Sequence, residues 1–252
     1  MPNSTLYAFI LSFIAGLSTL LGAFIILFDK SKNNKIMVIS LSFAAGVMIC
    51  VSLTDLLPNS YNMILDSNNF VPKFLLMLIF MVIGIIISMT IDKYLPCKNN
   101  KDNNLYKIGI ISMIAIILHN IPEGIATFIT SSSNLKLGIS LTIATALHNI
   151  PEGISIAIPI YHSTNNKKKA CVYAFISGMS EIVGSILAYL FLAPYINDNI
   201  MACLYAVIAG IMLHISVYEL IPGAYKESTL KTVLKYFLIG SCVMLLSHML
   251  IS

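Results

Sequence analysis

The sequence predicts an all-α membrane protein with eight transmembrane helices in a 3+2+3 arrangement, in which an inverted repeat relates spans 1–3 and 6–8 around spans 4–5. Three observations predict it. First, 58% of the 252 residues are hydrophobic and only 10% are charged, whereas a soluble domain usually carries about 25% charged residues. Too few charges remain to wet a globule of this size, so the composition excludes a soluble enzyme, a disordered chain and a nucleic-acid binder. Second, apolar runs of 20–25 residues recur between polar breaks, the length that crosses a bilayer as a helix. Third, two motifs recur within the chain.

The runs lie near residues 6–28, 36–58, 70–91, 107–130, 137–161, 170–192, 199–222 and 232–251. The connections between them are short, and residues 1–252 read as a single polytopic membrane domain. The first run is long enough to span and is preceded by no basic segment, so it reads as the first helix and not as a signal peptide. The formal charge is +4, and all 15 basic residues are Lys. The loops after spans 1, 3, 5 and 7 carry 13 of these: Lys30, Lys32, Lys35, Lys93, Lys98, Lys101, Lys107, Lys167, Lys168, Lys169, Lys226, Lys231 and Lys235. The loops after spans 2, 4 and 6 carry Lys73 and Lys136. Lysines gather on the cytoplasmic side, so both termini are expected outside the cytoplasm. There is no Trp, which leaves Tyr as the interfacial aromatic. The five cysteines (Cys50, Cys97, Cys171, Cys203, Cys242) are scattered without a CxxC pair and imply neither a disulfide framework nor a thiolate metal knuckle.

The first motif, LHNIPEGI, occupies residues 118–125 and again 147–154, identical at all eight positions. The second pairs AGVMICVSLTDLLPNSY (45–61) with AGIMLHISVYELIPGAY (209–225), including Gly46/Gly210, Met48/Met212, Ser52/Ser216 and Pro58/Pro222. The copies fall on spans 4 and 5 and on spans 2 and 7. Odd separations make each pair antiparallel, the pattern of secondary transporters, whose substrate sites lie near the midplane between repeats.

His119 and Glu123 are four apart and share one helix face, with Asn120 at its border; His148, Asn149 and Glu152 repeat the geometry. A carboxylate at mid-membrane costs several kcal/mol unless paired, hydrated or metal-bound. Two of them, each four residues from a histidine, call for a shared cation. Imidazole nitrogen with carboxylate oxygen suits Zn²⁺ and neighbouring first-row divalent ions. Pro122 and Pro151 cannot donate to the carbonyls of Leu118 and Leu147, which become candidate oxygen ligands or water anchors. Gly124 and Gly153 permit close helix approach. In span 6, Glu181 of SGMSEIVG reads as a third carboxylate on the same cavity.

Asp55 and Glu219 are the repeat-related acids of spans 2 and 7. They read either as the entrance and exit of an ion path or as helix-end acids at the headgroups. His214 reads as a packed histidine rather than a ligand, His162 and His248 lie near span ends, and Met48 is retained for its mid-span place in the repeat.

With these residues in hand, the chain resembles the ZIP family of divalent-metal transporters, most closely its bacterial zinc-uptake branch. The resemblance covers essentially the whole chain. It rests on both HNIPEG copies, on SGMSE, and on the AAGVM…LTDLLP and AGIM…VYELIP segments. It implies inward metal transport and a binuclear site. The first metal would take His119, Glu123, His148 and Glu152, with Met48 as an addition. The second would take Asn120, Glu123, Asn149, Glu152 and Glu181, so Glu123 and Glu152 would bridge. Two departures stand out: the loop CKNNKDNNLYK has no His, and Ile182 rather than Pro follows Glu181.

The reading is a plasma-membrane carrier, not an enzyme, that brings Zn²⁺, and with it Fe²⁺, Mn²⁺ or Co²⁺, into the cytoplasm. Its partners are divalent metal ions and the lipid bilayer, with a homodimer allowed and nucleic acid excluded. The metal is cargo; no prosthetic cofactor is expected. Protons compete for the same carboxylates and imidazoles. One alternative is an intramembrane metalloenzyme, but that chemistry uses HExxH, with a glutamate beside the first histidine, and no base adjoins the His of HNIPE. The other is a membrane metal sensor or structural subunit, which would bind metal without moving it.

Overall fold

Helices are the form in which an apolar chain satisfies its own backbone within lipid, and the apolar runs fold accordingly. The structure, a computed structural model, describes residues 3–27, 34–64, 70–94, 101–192, 195 and 197–251. Lys30, Lys32, Lys98 and Cys97 lie outside the described residues, as do the side chains of Lys101 and His248. The helices are α1 (Asn3–Ala23), α2 (Asn34–Val51), α3 (Leu57–Met63), α4 (Phe70–Tyr94), α5 (Lys101–Ser133), α6 (Leu135–Thr164), α7 (Lys167–Leu187), α8 (Asp198–Ile215), α9 (Ile221–Tyr225) and α10 (Leu230–Ile251). A π-turn, Ser52–Leu56, joins α2 to α3, and another, Ser216–Leu220, joins α8 to α9. Each joined pair forms one span, so the described helices correspond to the eight runs read in the sequence. Most run a few residues beyond the apolar stretch, and asparagines cap the starts of α6, α7 and α8 there. Asn134, Asn166 and Asn197 accept from the amides of Leu137, Lys169 and Ile200, and Asn165 ends α6 in the left-handed region at φ 57°.

The protein is an all-α membrane protein. Among the described residues, seven helices are long and apolar enough to cross a membrane. The helix left over is α6, whose histidines, asparagine, glutamate and prolines lower its apolarity. It is packed on α1, α5 and α7 and touches α2 and α10, and its motif residues His148, Asn149 and Glu152 are buried. Its polar groups therefore meet protein rather than lipid. By contrast α4 and α10 turn Val71, Leu75, Ile86, Leu238 and Leu246 outward, as lipid-facing helices do.

Packing follows the inverted repeat and sorts the helices into two groups, α1–α5–α6–α7 and α2/α3–α4–α8/α9–α10. Contacts come in mated pairs: α1 on α6 with α7 on α5, and α4 on α8 with α10 on α2. Glycines mark the same mates. A Cβ on Gly124 would strike the carbonyl oxygen of Glu181, and one on Gly153 that of Thr19. Likewise Gly46 closes on Phe237 and Gly210 on Met81. Helices without a hydrophobic drive between them associate through such close approaches.

These two π-turns are also mates, while a third π segment, Ala188–Leu192, continues α7. Ser52 and Ser216 each donate to the carbonyl four residues back, of Met48 and Met212, both at 2.8 Å. Each turn ends ahead of a proline, Pro58 or Pro222, whose missing N–H leaves the ladder free to widen. Asp55 and Glu219 sit in the turns.

Candidate metal centre

α5 and α6 form an antiparallel hairpin linked by Asn134 alone. Gly138 lies against Ser131, where a Cβ would not fit, and this lets the hairpin close. Pro122 and Pro151 are accommodated inside unbroken helices. The two HNIPEG copies then face each other at the hairpin's middle.

The ring centroids of His119 and His148 are 5.8 Å apart. His119 Nε2 lies 3.3 Å from Glu123 Oε2 and 3.5 Å from Glu152 Oε1. His148 Nε2 lies 2.9 Å from Glu123 Oε1. One donor atom each from His119, His148 and Glu152 falls within 4.8 Å of the others, a spacing on which one ion could draw all three. All four residues are buried, Glu123 the least at 8% exposure and Glu152 at 1%.

The asparagines are held by their amide nitrogens. Asn120 Nδ2 donates to the carbonyl of Ser177 on α7 at 3.2 Å, and Asn149 Nδ2 to that of Ala15 on α1 at 3.1 Å. A carbonyl neighbour fixes which end of the amide is nitrogen, so each Oδ1 is turned the other way. Asn149 Nδ2 also reaches Glu181 Oε2 at 3.1 Å, which brings the span-6 carboxylate to the same region. Glu181 is fully buried, and its backbone lies against Gly124.

The decisive observation is what these groups lack. Both oxygens of Glu152, Glu123 Oε2, Glu181 Oε1, the Oδ1 atoms of Asn120 and Asn149, both ring nitrogens of His119 and Nδ1 of His148 are buried without a hydrogen-bond partner, whereas Nε2 of His148 is taken up by Glu123. Native interiors leave few polar atoms in that condition, because an unmet buried group costs about 1–3 kcal/mol or more when charged. Here the orphans are all nitrogen or oxygen, converge on one place and include three carboxylates. That donor set fits a divalent cation and explains the orphans at once.

Toward the lysine-rich end the centre is sealed by the apolar core, including Ile108, Ile111 and Ile116 of α5 and Ile156 and Ile160 of α6. Toward the other end the same helices carry Thr127, Ser131, Thr142 and Thr145, all buried. There a cavity of about 190 Å³ lies between α5 and α8, lined by Ala126, Thr130, Asp198 and Tyr205 among others. Ala126 and Thr130 are one and two turns along α5 from Glu123.

The remaining sequence candidates do not join the ligand cluster, although Asp55 lies near enough to act electrostatically on His148. His214 Nδ1 is 2.9 Å from Ser88 Oγ, and its ring stacks on Tyr218, a packed histidine as the sequence suggests. Met48 is buried in the apolar core. Asp55 accepts from Asn59 Nδ2 at 2.6 Å. Sequence reasoning missed Thr145, whose Oγ1 donates to Glu123 Oε1 at 2.9 Å. Its position three residues before His148 places it on the histidine's face, and that was the available signal.

A bundle of membrane-crossing helices with a convergent cation donor set at the middle of two inverted helices is the make-up of a metal-ion transporter. Comparison with known proteins gives the same class. The family profile described as ZIP Zinc transporter matches residues 3–105 and 96–248. "Zinc transporter ZupT" of Clostridium perfringens is 36% identical over 98% of this chain and 97% of its own length. The proteins of that name in Streptococcus mutans and Salmonella newport are 37% and 40% identical, over 89% and 85% of each chain. The chain therefore belongs to the ZIP family, a family of zinc transporters and not of enzymes.

Proposed function

We propose that this protein carries Zn²⁺ across the plasma membrane into the cytoplasm, accepting Fe²⁺, Mn²⁺ and Co²⁺ as secondary cargo. The observation that carries this reading is the cluster of orphaned nitrogen and oxygen donors where α5 meets α6. His119, Glu123, His148 and Glu152 would hold one ion. Asn120, Asn149 and Glu181 would complete a second position, with the two HNIPEG glutamates shared between them. Mixed ligands without thiolate favour a moderate affinity, which a carrier needs in order to release its ion. The names of the relatives support zinc as the cargo.

Both termini would lie outside the cytoplasm, so the cation would approach through the cavity beside Thr130 and Tyr205. It would shed water onto the imidazoles and carboxylates. Release would follow when α1, α5, α6 and α7 shift against the other helices and part the apolar seal around Ile108, Ile111, Ile156 and Ile160. The exposed faces of α4 and α10 would meet lipid, or a second copy in a homodimer.

The test is zinc uptake into proteoliposomes by the wild type, Glu123→Ala and His148→Ala. Saturable uptake by the wild type, lost in both variants while they remain folded, supports the reading. No uptake by a folded wild type that binds zinc overturns it.

A further inference from the structure

The two HNIPEG copies are identical in sequence, yet the structure does not treat their glutamates alike. The offset between copies maps His148 onto His119 and Glu152 onto Glu123, and it maps Thr145 onto Ile116. Thr145, fully buried, donates its hydroxyl to Glu123 Oε1 at 2.9 Å, the oxygen that also lies 2.9 Å from His148 Nε2. Glu123 is thus fixed through one oxygen by two groups of the opposite helix, while Oε2 stays unpartnered and faces His119. At the mated position stands Ile116, 1% exposed, which has no hydrogen to give. Both oxygens of Glu152 are buried without a hydrogen-bond partner, and His119 Nε2 stands off at 3.5 Å from Oε1.

We infer that Thr145 is a positioning residue that makes the two glutamates unequal: it holds Glu123 as the fixed ligand and leaves Glu152 as the carboxylate that swings with the cation. The inference rests on the transport reading above. A hydroxyl that donates to a carboxylate makes a charge-assisted hydrogen bond, and a ligand oriented before the ion arrives loses little freedom on binding. Glu123 therefore sets affinity. Glu152, unmet until a cation comes, gains most from binding and is free to follow the ion between positions. Two pinned carboxylates would hold the ion too long; two loose ones would hold it poorly.

The test compares uptake kinetics and equilibrium zinc binding for the wild type, Thr145→Val, Thr145→Ser and Ile116→Thr. Valine keeps the shape of threonine and removes the hydroxyl; it should raise KM and Kd for zinc about tenfold, the scale of one hydrogen bond to a charged group, with kcat little changed. Serine restores the donor and should stay near wild type. Ile116→Thr gives Glu152 a hydroxyl of its own and should lower both Kd and kcat. The inference is overturned if Thr145→Val matches wild type, or if Thr145→Ser loses as much as Thr145→Val. Should Thr145→Val not fold, Ile116→Thr decides by its direction: an unchanged kcat and Kd overturns the inference. Absence of uptake in a zinc-binding wild type would instead defeat the transport reading, and the binding isotherms of the same variants would still decide the role of Thr145.

Discussion

Gly16 and Gly178 close on each other: a Cβ on either would strike the main-chain carbonyl of the other. They are mates across the inverted repeat, on α1 and α7, and they bring together the two helices whose carbonyls anchor Asn149 and Asn120. Any side chain here forces the helices apart. Gly178→Val should lower stability by roughly 1–3 kcal/mol or more, the range for overpacking, and should release both asparagine anchors. Thermal unfolding in detergent measures the first effect and zinc affinity the second. A variant that melts and binds zinc like wild type would contradict the reciprocal contact.

Zinc should stabilise the folded protein. The donors are brought together only in the folded state, so a cation that binds them there shifts the equilibrium towards it, and zinc at about 100 times its Kd adds about 2.7 kcal/mol. The melting temperature should therefore rise with zinc in the wild type and stay flat in His148→Ala. A rise of equal size in both would move the zinc site away from α5 and α6.

Much of this was legible in the sequence, and the parts that were not share a physical reason. The spans announce themselves by length and apolarity, and HNIPEG by exact repetition. The pairing of α1 with α7 was written faintly: Gly16 and Gly22 have the same spacing as Gly178 and Gly184, but glycine spacing says nothing of the partner until the helices are in space. The π-turns were hidden, since Pro58 and Pro222 read equally as helix ends. Thr145 was hidden among neighbouring threonines, because a hydrogen bond across helices leaves no periodicity. Asn120 and Asn149 read as ligands; that their nitrogens are committed to backbone carbonyls required coordinates.

Lys107 and Asp92 form an ion pair between α5 and α4, helices consecutive in the chain but packed in different groups. The pair is partly exposed, at 18% and 32%, so screening limits its worth to about 1 kcal/mol or less. Its place matters more than its strength, since it ties the two groups that would move apart. Lys107→Met should leave the melting temperature near wild type and raise the zinc turnover rate, and the charge swap Lys107→Asp with Asp92→Lys should restore it. A large loss of stability with unchanged turnover would make the pair structural instead.

Orientation can be read chemically. Lys168 and Lys136 are both exposed at helix starts, on α7 and α6, at opposite ends of the bundle. In a background with the native cysteines replaced, a cysteine substituted at Lys136 should react with a membrane-impermeant maleimide in intact cells. One substituted at Lys168 should react only after the membrane is opened. The reverse pattern would invert the topology inferred from lysine placement.

The cavity beside Thr130 makes a separate claim, because it concerns the route and not the site. Thr130 is half-buried, two turns from Glu123 along α5, and shares the cavity with Tyr205 and Asp198. A bulky apolar side chain would fill a space of about 190 Å³ without touching a donor atom of the centre. Thr130→Phe should therefore cut the uptake rate sharply while zinc affinity at equilibrium, given time to reach the site, stays near wild type. Loss of both would mean that the substitution distorts α5 down to Glu123. Normal uptake would mean that the cation enters by another path, and the buried hydroxyls of Thr127, Ser131 and Thr142 between α5 and α6 would then be the next place to block.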